Sequence, residues 1–213
     1  MKTIPLNQYP QLSDHNGWSI LDKYPSNPKY LDVIQAVMKK ALNNHSRTLV
    51  VRVDLHTPIS ASIDSRVISR FFDSLKAKIK ARERKNKRKG IRVHKSEMEY
   101  VWCREFGVNN NVHYHLGIFL NGDAFNGLGN YRTVEDNLAG MIYCAWASAM
   151  KCDIEDVFTL VHFPKSEPFY LLKIWQESFI YKFNCVFNRL SYLAKFESKI
   201  YGSGKRNFGS SQK

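Results

Sequence analysis

Hydrophobic residues follow two different periods along this chain. Alternation of apolar and polar residues predicts strands at 48–56, 97–106, 112–121 and 157–163. A spacing of three or four residues predicts helices at 28–44, from about 63 to 89, from 133 to about 149, and from 169 to 195. Asn27 before Pro28 is typical of a helix start, and Thr133 with Asp136 resembles a capping box that opens the third helix.

From residue 48 onward the elements run strand, helix, strand, strand, helix, strand, helix. This order predicts an α+β protein whose core is a ferredoxin-like β-α-β-β-α-β antiparallel sheet with packed helices. The length of 213 residues is enough to bury a hydrophobic core, and we expect a single domain over 1–213. Within it, 1–26 is predicted as an N-terminal arm and 201–213 as a basic tail.

The charge of the chain narrows the choice of partners. Lys and Arg together number 32 against 19 Asp and Glu, which gives a formal net charge of +13. Such an excess favours a polyanionic partner, with nucleic acid ahead of an anionic membrane surface. Much of the excess lies in the second half of the helix that starts near residue 63. That segment is either a solvated helix face or a contact for phosphates.

The sequence carries no signal for membrane insertion or export. No apolar run approaches the roughly 18 to 20 residues of a membrane span, and the first residues lack the hydrophobic segment of a signal peptide. The four cysteines are far apart and lack Cys-x-x-Cys spacing, which is typical of reduced thiols that serve packing. We therefore expect no membrane partner and a cytoplasmic location.

The strand at 112–121 carries the first candidate for chemistry. Alternation places Val112 and Tyr114 on one face, and His113, His115 and Gly117 on the other. Two histidines at i and i+2 can bind one divalent metal through their ring nitrogens, and Gly117 leaves space beside them. Taken alone, such a pair is more often structural and held by hydrogen bonds, so both interpretations stand at this point.

The last predicted helix carries a second candidate on a polar face. Its members recur at spacings of four, three, four and three residues: Tyr181, Cys185, Asn188, Tyr192 and Lys195. A tyrosine can attack a phosphodiester if its phenolate is stabilised, because its reference pKa is about 10. Lys195 can stabilise that phenolate or hold a phosphate oxygen. Otherwise Tyr192 is an amphipathic surface residue and Lys195 is one lysine among many.

Four short motifs follow one another along the chain: Arg52-Val53-Asp54-Leu55, His113-Tyr114-His115, the segment from Arg189 to Lys195, and Arg206-Asn207-Phe208-Gly209. With the β-α-β-β-α-β core and the basic charge, they resemble the HUH endonucleases. Within that group they are similar to the inovirus replication-initiator family, which also occurs in bacterial prophage remnants. The resemblance covers about 31–211, which is nearly the whole chain.

The resemblance implies an enzyme that nicks and rejoins single-stranded DNA through a 5′-phosphotyrosine intermediate, and so starts rolling-circle replication of a filamentous phage or a related mobile element. It implies Tyr192 as the nucleophile, Lys195 as its assistant, and His113 and His115 as metal ligands. The expected cofactor is Mg or Mn, which would polarise the scissile phosphate. The expected partner is single-stranded or supercoiled DNA at a replication origin, with host replication proteins as further candidates.

A third metal ligand is expected, because such sites usually add an acidic or amide residue and because Mg and Mn prefer oxygen. Glu105 is the first choice, since it ends the strand that pairs with the histidine strand and can reach the same face. Asp54 and His162 are alternatives. Asp54 could instead pair with Arg52 or Arg104, His162 could be a core histidine, and Glu105 could be a solvated strand end.

DNA contacts are predicted for basic residues that would hold the backbone without reading its sequence. In the long helix these are Lys76, Lys80, Arg84, Lys87 and Arg88. At the end of the chain they are Lys199, Lys205 and Arg206. Three aromatic residues are candidates for stacking on single-stranded bases: Tyr100, Trp102 and Tyr131.

Two other functions stay open from the sequence. An HUH transposase or relaxase would use the same chemistry in another setting, and its strand-transfer products would distinguish it. A non-catalytic nucleic-acid-binding module would bind through charge alone, in a way that survives chelation and gives no covalent product. The sheet of an RNA-recognition module would carry exposed aromatic residues, where this chain has histidines.

Overall fold

The computed structural model of this protein describes residues 12–58, 64–107, 111–131, 133–202 and 204–211. In chain order the elements are β1 (Asp14–His15), β2 (Trp18–Ser19), α1 (Pro28–Asn44), β3 (Arg47–His56), α2 (Val67–Arg88), β4 (Glu99–Phe106), β5 (Val112–Asn121), α3 (Leu138–Met150), α4 (Ile154–Val157), β6 (Val161–His162), β7 (Phe169–Lys173), α5 (Phe179–Ser191), a 3₁₀ turn (Tyr192–Ala194) and β8 (Phe208–Ser210). Residues 1–11 of the predicted arm, residue 63 at the predicted start of the long helix, and residues 203, 212 and 213 of the predicted tail lie outside the described ranges.

The protein has an α+β fold built on an antiparallel sheet. The strand order is β6-β3-β5-β4-β8, and β7 also pairs with β3. All of these pairs are antiparallel. Because β3 and β4 flank β5, α2 connects two strands that run in the same direction on either side of the histidine strand. None of the helices in the described ranges combines the length and apolar content that a membrane span requires.

Helices cover both faces of the sheet. On one face, Phe71 of α2 and Trp146 of α3 pack with Leu116 of β5. On the other face, Leu31 of α1 and Leu190 of α5 belong to a second buried cluster. The strand β5 is therefore buried on both sides, and the face that carries the histidines lies under α5 rather than in solvent.

The hydrophobic periods predict most of these elements correctly. Asn27 caps α1 as expected, since its side chain accepts a hydrogen bond of 3.0 Å from the amide of Lys29. The predicted strands at 48–56 and 112–121 correspond to β3 and β5, and the strand at 97–106 to β4. Residues 12–26 of the predicted arm are packed onto the fold, because Trp18 contacts Phe183 with ring centroids 4.5 Å apart and Ile20 is buried.

Three predicted boundaries are wrong. The helix predicted over 169–195 begins at Phe179, because residues 169–173 form β7 and pair with β3, and it ends at Ser191, because Tyr192–Ala194 form a 3₁₀ turn. The capping box predicted at Thr133 and Asp136 does not start α3; Asn137 is the N-cap and accepts a hydrogen bond of 2.9 Å from the amide of Gly140. The strand predicted at 157–163 is reduced to β6, since residue 157 ends the short helix α4 and residues 158–160 form a turn.

Gly117 is a position where β5 needs a glycine. A Cβ atom there would lie 2.7 Å from Cδ2 of Leu190 and 3.2 Å from Cγ2 of Val101. We expect Gly117→Ala to lower the free energy of unfolding by about 1 to 3 kcal/mol, because α5 must shift to accommodate the methyl group. Urea denaturation measures this loss. Leu190→Val removes the clashing methyl group, so Gly117→Ala should lower the free energy of unfolding by less in a Leu190→Val background than in the wild type. If the two losses simply add in the double variant, the clash is contradicted.

Candidate metal and nucleophile site

The pairing of three strands brings five polar side chains to one end of the sheet. In the antiparallel register Asp54 of β3 lies opposite His115 of β5, and His56 lies opposite His113. On the other side of β5, Glu105 of β4 also lies opposite His113. Residues that are paired across strands share a face, so these side chains meet under the C-terminal end of α5.

Glu105, His113 and His115 form a compact cluster, called here the His–Glu cluster. One ligand atom from each lies within 4.8 Å of the others. Oε2 of Glu105 is 3.3 Å from Nε2 of His115 and 3.8 Å from Nε2 of His113. Two imidazole nitrogens and one carboxylate are a common ligand set for a divalent transition metal, so the His–Glu cluster could hold such an ion.

The nitrogen of His115 that faces Glu105 is left free to bind a metal ion, which the cluster could hold. Nδ1 of His115 lies 2.6 Å from Oδ1 of Asp54, which assigns the ring proton to Nδ1 and leaves the lone pair of Nε2 facing Glu105. Nε2 of His115 and Nδ1 of His113 are buried and have no hydrogen-bond partner among the described residues. A carboxylate behind a histidine is the usual support of a metal-binding imidazole.

The tyrosine predicted as nucleophile lies beside this cluster. Tyr192 follows α5 directly, and its ring contacts the ring of His115 with centroids 5.1 Å apart. Nζ of Lys195 donates a hydrogen bond of 2.5 Å to the Tyr192 hydroxyl and lies 3.0 Å from Oε2 of Glu105. Lys195 therefore joins the tyrosine hydroxyl to the His–Glu cluster, and the predicted contact between Tyr192 and Lys195 is confirmed.

Two lysines hold the carboxylate of Glu105 in its charged form. The side chain of Glu105 is 1% exposed, and Nζ of Lys199 lies 3.4 Å from Oε1. Burial alone would raise the pKa of Glu105, but the neighbouring His115, Lys199 and Lys195 outweigh it and lower the pKa to about 2. The carboxylate is therefore ionised, as a metal ligand must be.

The surroundings of Tyr192 act on its pKa in opposite directions. Burial raises the pKa of Tyr192 above its ordinary value, and the charge of Glu105 adds to this effect. The hydrogen bond from Lys195 lowers it. The pKa of Lys195 is raised, because the hydrogen bond with Tyr192 and the charge of Glu105 outweigh its burial. Lys195 is therefore a charged donor, placed to stabilise a phenolate.

A cleft of about 270 Å³ opens beside the tyrosine and is called here the Tyr192 cleft. Its polar lining residues come from β3, β5, β6 and α5: Arg52, Asp54, His115, His162, Arg189 and Tyr192. Arg52 is held by its ion pair with Asp54, so Arg189 is the arginine of the cleft whose charge is open to an anion. The site thus combines a cluster that can hold a metal, a tyrosine hydroxyl, and an opening for an anionic substrate.

Comparison with known proteins assigns the chain to a family. Residues 14–211 match the family model described as YagK/YfjJ C-terminal domain. The chain belongs to this family. Two similar proteins of Escherichia coli (strain K12) carry the descriptions "Uncharacterized protein YagK" and "Uncharacterized protein YfjJ". The first is 35% identical over 194 residues, covering 86% of this chain and 92% of YagK. The second is 37% identical over 195 residues, covering 86% of this chain and 93% of YfjJ.

No solved structure matches this member of the YagK/YfjJ family. The comparisons show no link to the HUH endonucleases that its motifs resemble, so that resemblance stays a hypothesis. The match from residue 14 to 211 does include every element of the site described above. The site therefore belongs to the part of the chain that defines this family.

In this YagK/YfjJ family member, the basic half of α2 lies far from Tyr192. The helix has 22 residues, starts at the end of the sheet that carries the histidines, and runs away from it for about 32 Å. Its C-terminal half contacts residues beyond the opposite end of β5: Arg82 lies over the ring of Phe125, and Lys85 pairs with Asp136. The predicted DNA contacts at Lys76, Lys80, Arg84, Lys87 and Arg88 are therefore not part of the Tyr192 cleft.

Two alternatives from the sequence are settled by the geometry. His162 is wrongly predicted as a core histidine, because it is exposed and lines the Tyr192 cleft, where its ring lies 4.7 Å from that of His56. Lys199 is wrongly predicted as a DNA contact, because its side chain is fully buried against Glu105. Lys205 and Arg206 are exposed, as the prediction requires.

Sequence reasoning names Asp54 as an alternative metal ligand or as a partner of Arg52 or Arg104, and the ion pair with Arg52 is confirmed in this YagK/YfjJ family member. It misses the contact of Asp54 with His115, and it gives no role in the site to Arg189 or His56. Asp54 orients His115, Arg189 lines the cleft, and His56 stacks on His113 with ring centroids 5.2 Å apart. Arg189 stands one turn before Tyr192 on α5, which is a signal that the sequence does contain. The contact between Asp54 and His115 depends on the register of β3 and β5, and no local pattern shows it.

We expect Asp54→Asn to weaken Mn²⁺ binding by about tenfold to a hundredfold, because the amide cannot hold the His115 proton as a carboxylate does. Isothermal titration calorimetry of the metal-free protein measures this. Asp32→Asn is the matched control, since Asp32 pairs with His15 at 2.7 Å outside the site. Equal Mn²⁺ affinities in wild type and Asp54→Asn would contradict the orienting role of Asp54.

Proposed function

We propose that this protein is a metal-dependent endonuclease that nicks and rejoins single-stranded DNA through Tyr192. One observation carries the proposal: the Tyr192 hydroxyl, the Lys195 ammonium and the Glu105 carboxylate form a continuous chain of contacts beside His113 and His115. A nucleophile, a charged assistant and a metal-binding cluster are the components that phosphodiester cleavage by a tyrosine needs.

The fold supports the same proposal. Counting the strands from β3 in chain order, the sheet order β6-β3-β5-β4 is that of the ferredoxin-like β-α-β-β-α-β core predicted from the sequence. The His-Tyr-His motif lies on the central strand β5, as the resemblance to HUH endonucleases implies, and the tyrosine lies in the 3₁₀ turn that directly follows the last helix. We infer an HUH-type fold from this correspondence, with rolling-circle replication of a phage or related mobile element as the setting.

The side chains of the site have separate roles in the proposed reaction. His113, His115 and Glu105 would hold Mg²⁺ or Mn²⁺, which when bound supplies charge neutralisation at the scissile phosphate. Asp54 fixes the tautomer and the orientation of His115. Arg52 and Arg189 line the cleft in which the strand would lie, and Lys195 stabilises the Tyr192 phenolate.

The chemical step exchanges one phosphodiester bond for another. The Tyr192 hydroxyl loses its proton to solvent, and its oxygen attacks the phosphorus. The bond from phosphorus to the 3′ oxygen breaks, and that oxygen takes up a proton. The products are a 5′-phosphotyrosine on the protein and a free 3′-hydroxyl. Because the phosphotyrosine keeps the energy of the bond, a 3′-hydroxyl can later attack it and restore the strand.

This proposal is tested by asking which end of the cut DNA stays covalently attached to the protein. We would incubate the protein with Mn²⁺ and pools of single-stranded DNA labelled at either end, and with supercoiled DNA of the source element. The expected result on a denaturing gel is 3′-end label carried by the protein and 5′-end label released in a shorter strand. A hydroxyl-terminated cut without any protein-linked label would reject the tyrosine mechanism. Binding that survives chelation, with no cleavage of any of these DNAs, would favour a non-catalytic module.

The basic half of α2 should affect binding to long DNA and not the chemistry. We expect a variant with Lys80→Ala, Arg84→Ala and Arg88→Ala to bind long duplex DNA more weakly, with a salt slope reduced by about 2 to 3. Adduct formation on a short single strand should be unchanged, because these residues lie about 20 to 30 Å along α2 from its start near the site. Fluorescence anisotropy at several salt concentrations measures binding, and an equal loss of short-strand adduct would contradict the separation.

A further inference from the structure

A second pocket lies at the same end of the sheet as Tyr192 but on the opposite face, and is called here the Arg104 pocket. Its volume is about 270 Å³. Its polar lining residues are Ser65, Ser69, Arg104, Tyr114, Lys205 and Arg206. Three of these are cations and two carry aliphatic hydroxyl groups. None of the described residues that line it is acidic, so the pocket has the composition of a phosphate site.

Arg104 has no ion-pair partner among the described residues, and its guanidinium carbon lies 5.3 Å from the centroid of the Phe106 ring. It is 5% exposed, and its Nη2 donates a hydrogen bond of 3.1 Å to the neutral amide oxygen of Asn207. Its Nε atom is buried and has no hydrogen-bond partner among the described residues. A buried guanidinium is normally matched by a carboxylate, because leaving its charge unpaired costs several kcal/mol. An anion from outside the protein would supply the missing partner.

Residues of the C-terminal tail form part of this pocket and are held there by pairing with β4. The amide of Arg104 donates a hydrogen bond of 2.8 Å to the carbonyl of Asn207, and β8 pairs with β4 immediately after it. A Cβ at Gly209 would lie 2.7 Å from the Trp102 ring, so only a glycine lets the tail lie this close. This pairing holds Lys205 and Arg206 over Arg104, and it explains why the Arg-Asn-Phe-Gly motif needs its asparagine and its glycine.

The position of Arg104 connects the two pockets. Arg104 and Glu105 are consecutive in β4, so their side chains point to opposite faces of the sheet. Glu105 belongs to the His–Glu cluster and Arg104 to the second pocket. The two sites therefore lie on opposite faces at the same end of the sheet.

We propose that the Arg104 pocket binds a backbone phosphate of single-stranded DNA at a nucleotide outside the scissile bond. The identity of the strand rests on the function proposed above, whereas the binding of a phosphate does not. Arg104 provides the buried guanidinium, and Lys205 and Arg206 provide exposed cations at the mouth of the pocket. The pocket would fix the register of the strand relative to Tyr192.

Binding can be measured without cleavage. We would titrate a fluorescent oligonucleotide of about 12 nucleotides with the full chain in EDTA and follow its anisotropy. Arg104→Gln keeps a donor for Asn207 but removes the charge, and should raise the dissociation constant by about tenfold to a hundredfold. The double variant Lys205→Ala/Arg206→Ala, at exposed positions, should also weaken binding and lower the salt slope by about 1. It provides the test if Arg104→Gln does not fold.

The matched control is Lys29→Ala/Lys39→Ala, which removes two exposed positive charges from α1. If this control weakens binding as much as the pocket variants do, the effect is one of net charge and the proposal is wrong. Titrations with inorganic phosphate and with 5′-dTMP distinguish a free nucleotide from a strand. They are followed by tryptophan fluorescence, to which Trp102 at the pocket contributes and which Trp102→Phe assigns. If dTMP binds while the pocket variants bind the oligonucleotide normally, the ligand is a free nucleotide and the assignment to a strand is wrong.

These results separate the two proposals. A protein that binds the oligonucleotide through Arg104 but forms no adduct with any DNA would retain the pocket and reject the nickase. A protein that forms the adduct and binds normally with Arg104→Gln would retain the nickase and reject the pocket.

Discussion

Tyr192→Phe is expected to reduce formation of the covalent protein–DNA adduct by at least about 1000-fold, since it removes the attacking oxygen and leaves the rest of the site in place. The phenyl ring preserves the contacts of the tyrosine ring with His115 and Tyr24. Mn²⁺ binding and the free energy of unfolding should therefore stay close to those of the wild type. Denaturing gels with 3′-end-labelled DNA measure the adduct.

Tyr181→Phe is the matched control for this substitution. Tyr181 lies on α5, is 71% exposed and stands three turns before Tyr192, which directly follows that helix. An exposed substitution of this kind should leave adduct formation within about twofold of the wild type. An adduct that persists in Tyr192→Phe and is lost in Tyr181→Phe would move the nucleophile to the other end of the helix.

Glu105→Gln is expected to lower the free energy of unfolding by about 3 to 5 kcal/mol in the absence of metal. The substitution removes the negative charge that two buried ammonium groups share. The side chain of Lys195 is 6% exposed and that of Lys199 is 0% exposed, so neither can reach water without local unfolding. Guanidinium denaturation in EDTA measures the loss.

Glu99→Gln is the matched control, because Glu99 lies in the same strand and is also buried. Its partner Lys40, at 2.8 Å, is 40% exposed and can turn to solvent, so the loss should be about 1 kcal/mol. Combining Glu105→Gln with Lys199→Met should recover part of the stability, because one unpaired buried charge is removed. Equal losses for Glu105→Gln and Glu99→Gln would contradict the role of the lysine pair.

The central strands could be predicted from the sequence because each carries a long run of alternating or apolar residues. β5 has the predicted bounds, and β3 begins one residue earlier than expected. The segment 169–173 is different, since Leu172 fits the period of a helix as well as that of a strand. Its pairing with β3 uses backbone hydrogen bonds between distant residues, which side-chain spacing does not reveal.

The candidate site shows the same division between local and distant contacts. Glu105 could be predicted beside His113 because both lie in one hairpin with a short loop. Lys195 could be placed beside Tyr192 because they are three residues apart. The burial of Lys199 could not be predicted, since it depends on a carboxylate 94 residues away. The distance of the basic half of α2 from the cleft likewise follows from the direction in which the helix crosses the sheet.

The order of the site residues along the chain affects how the site forms during synthesis. Glu105, His113 and His115 leave the ribosome well before Tyr192, and the intervening residues include α3 and all of α5. A nascent or prematurely terminated polypeptide that stops before Tyr192 has the ligands of the His–Glu cluster, but neither the attacking oxygen nor the lysines that neutralise Glu105. Under the proposed function, the growing polypeptide therefore acquires its metal ligands before it acquires the ability to cleave DNA.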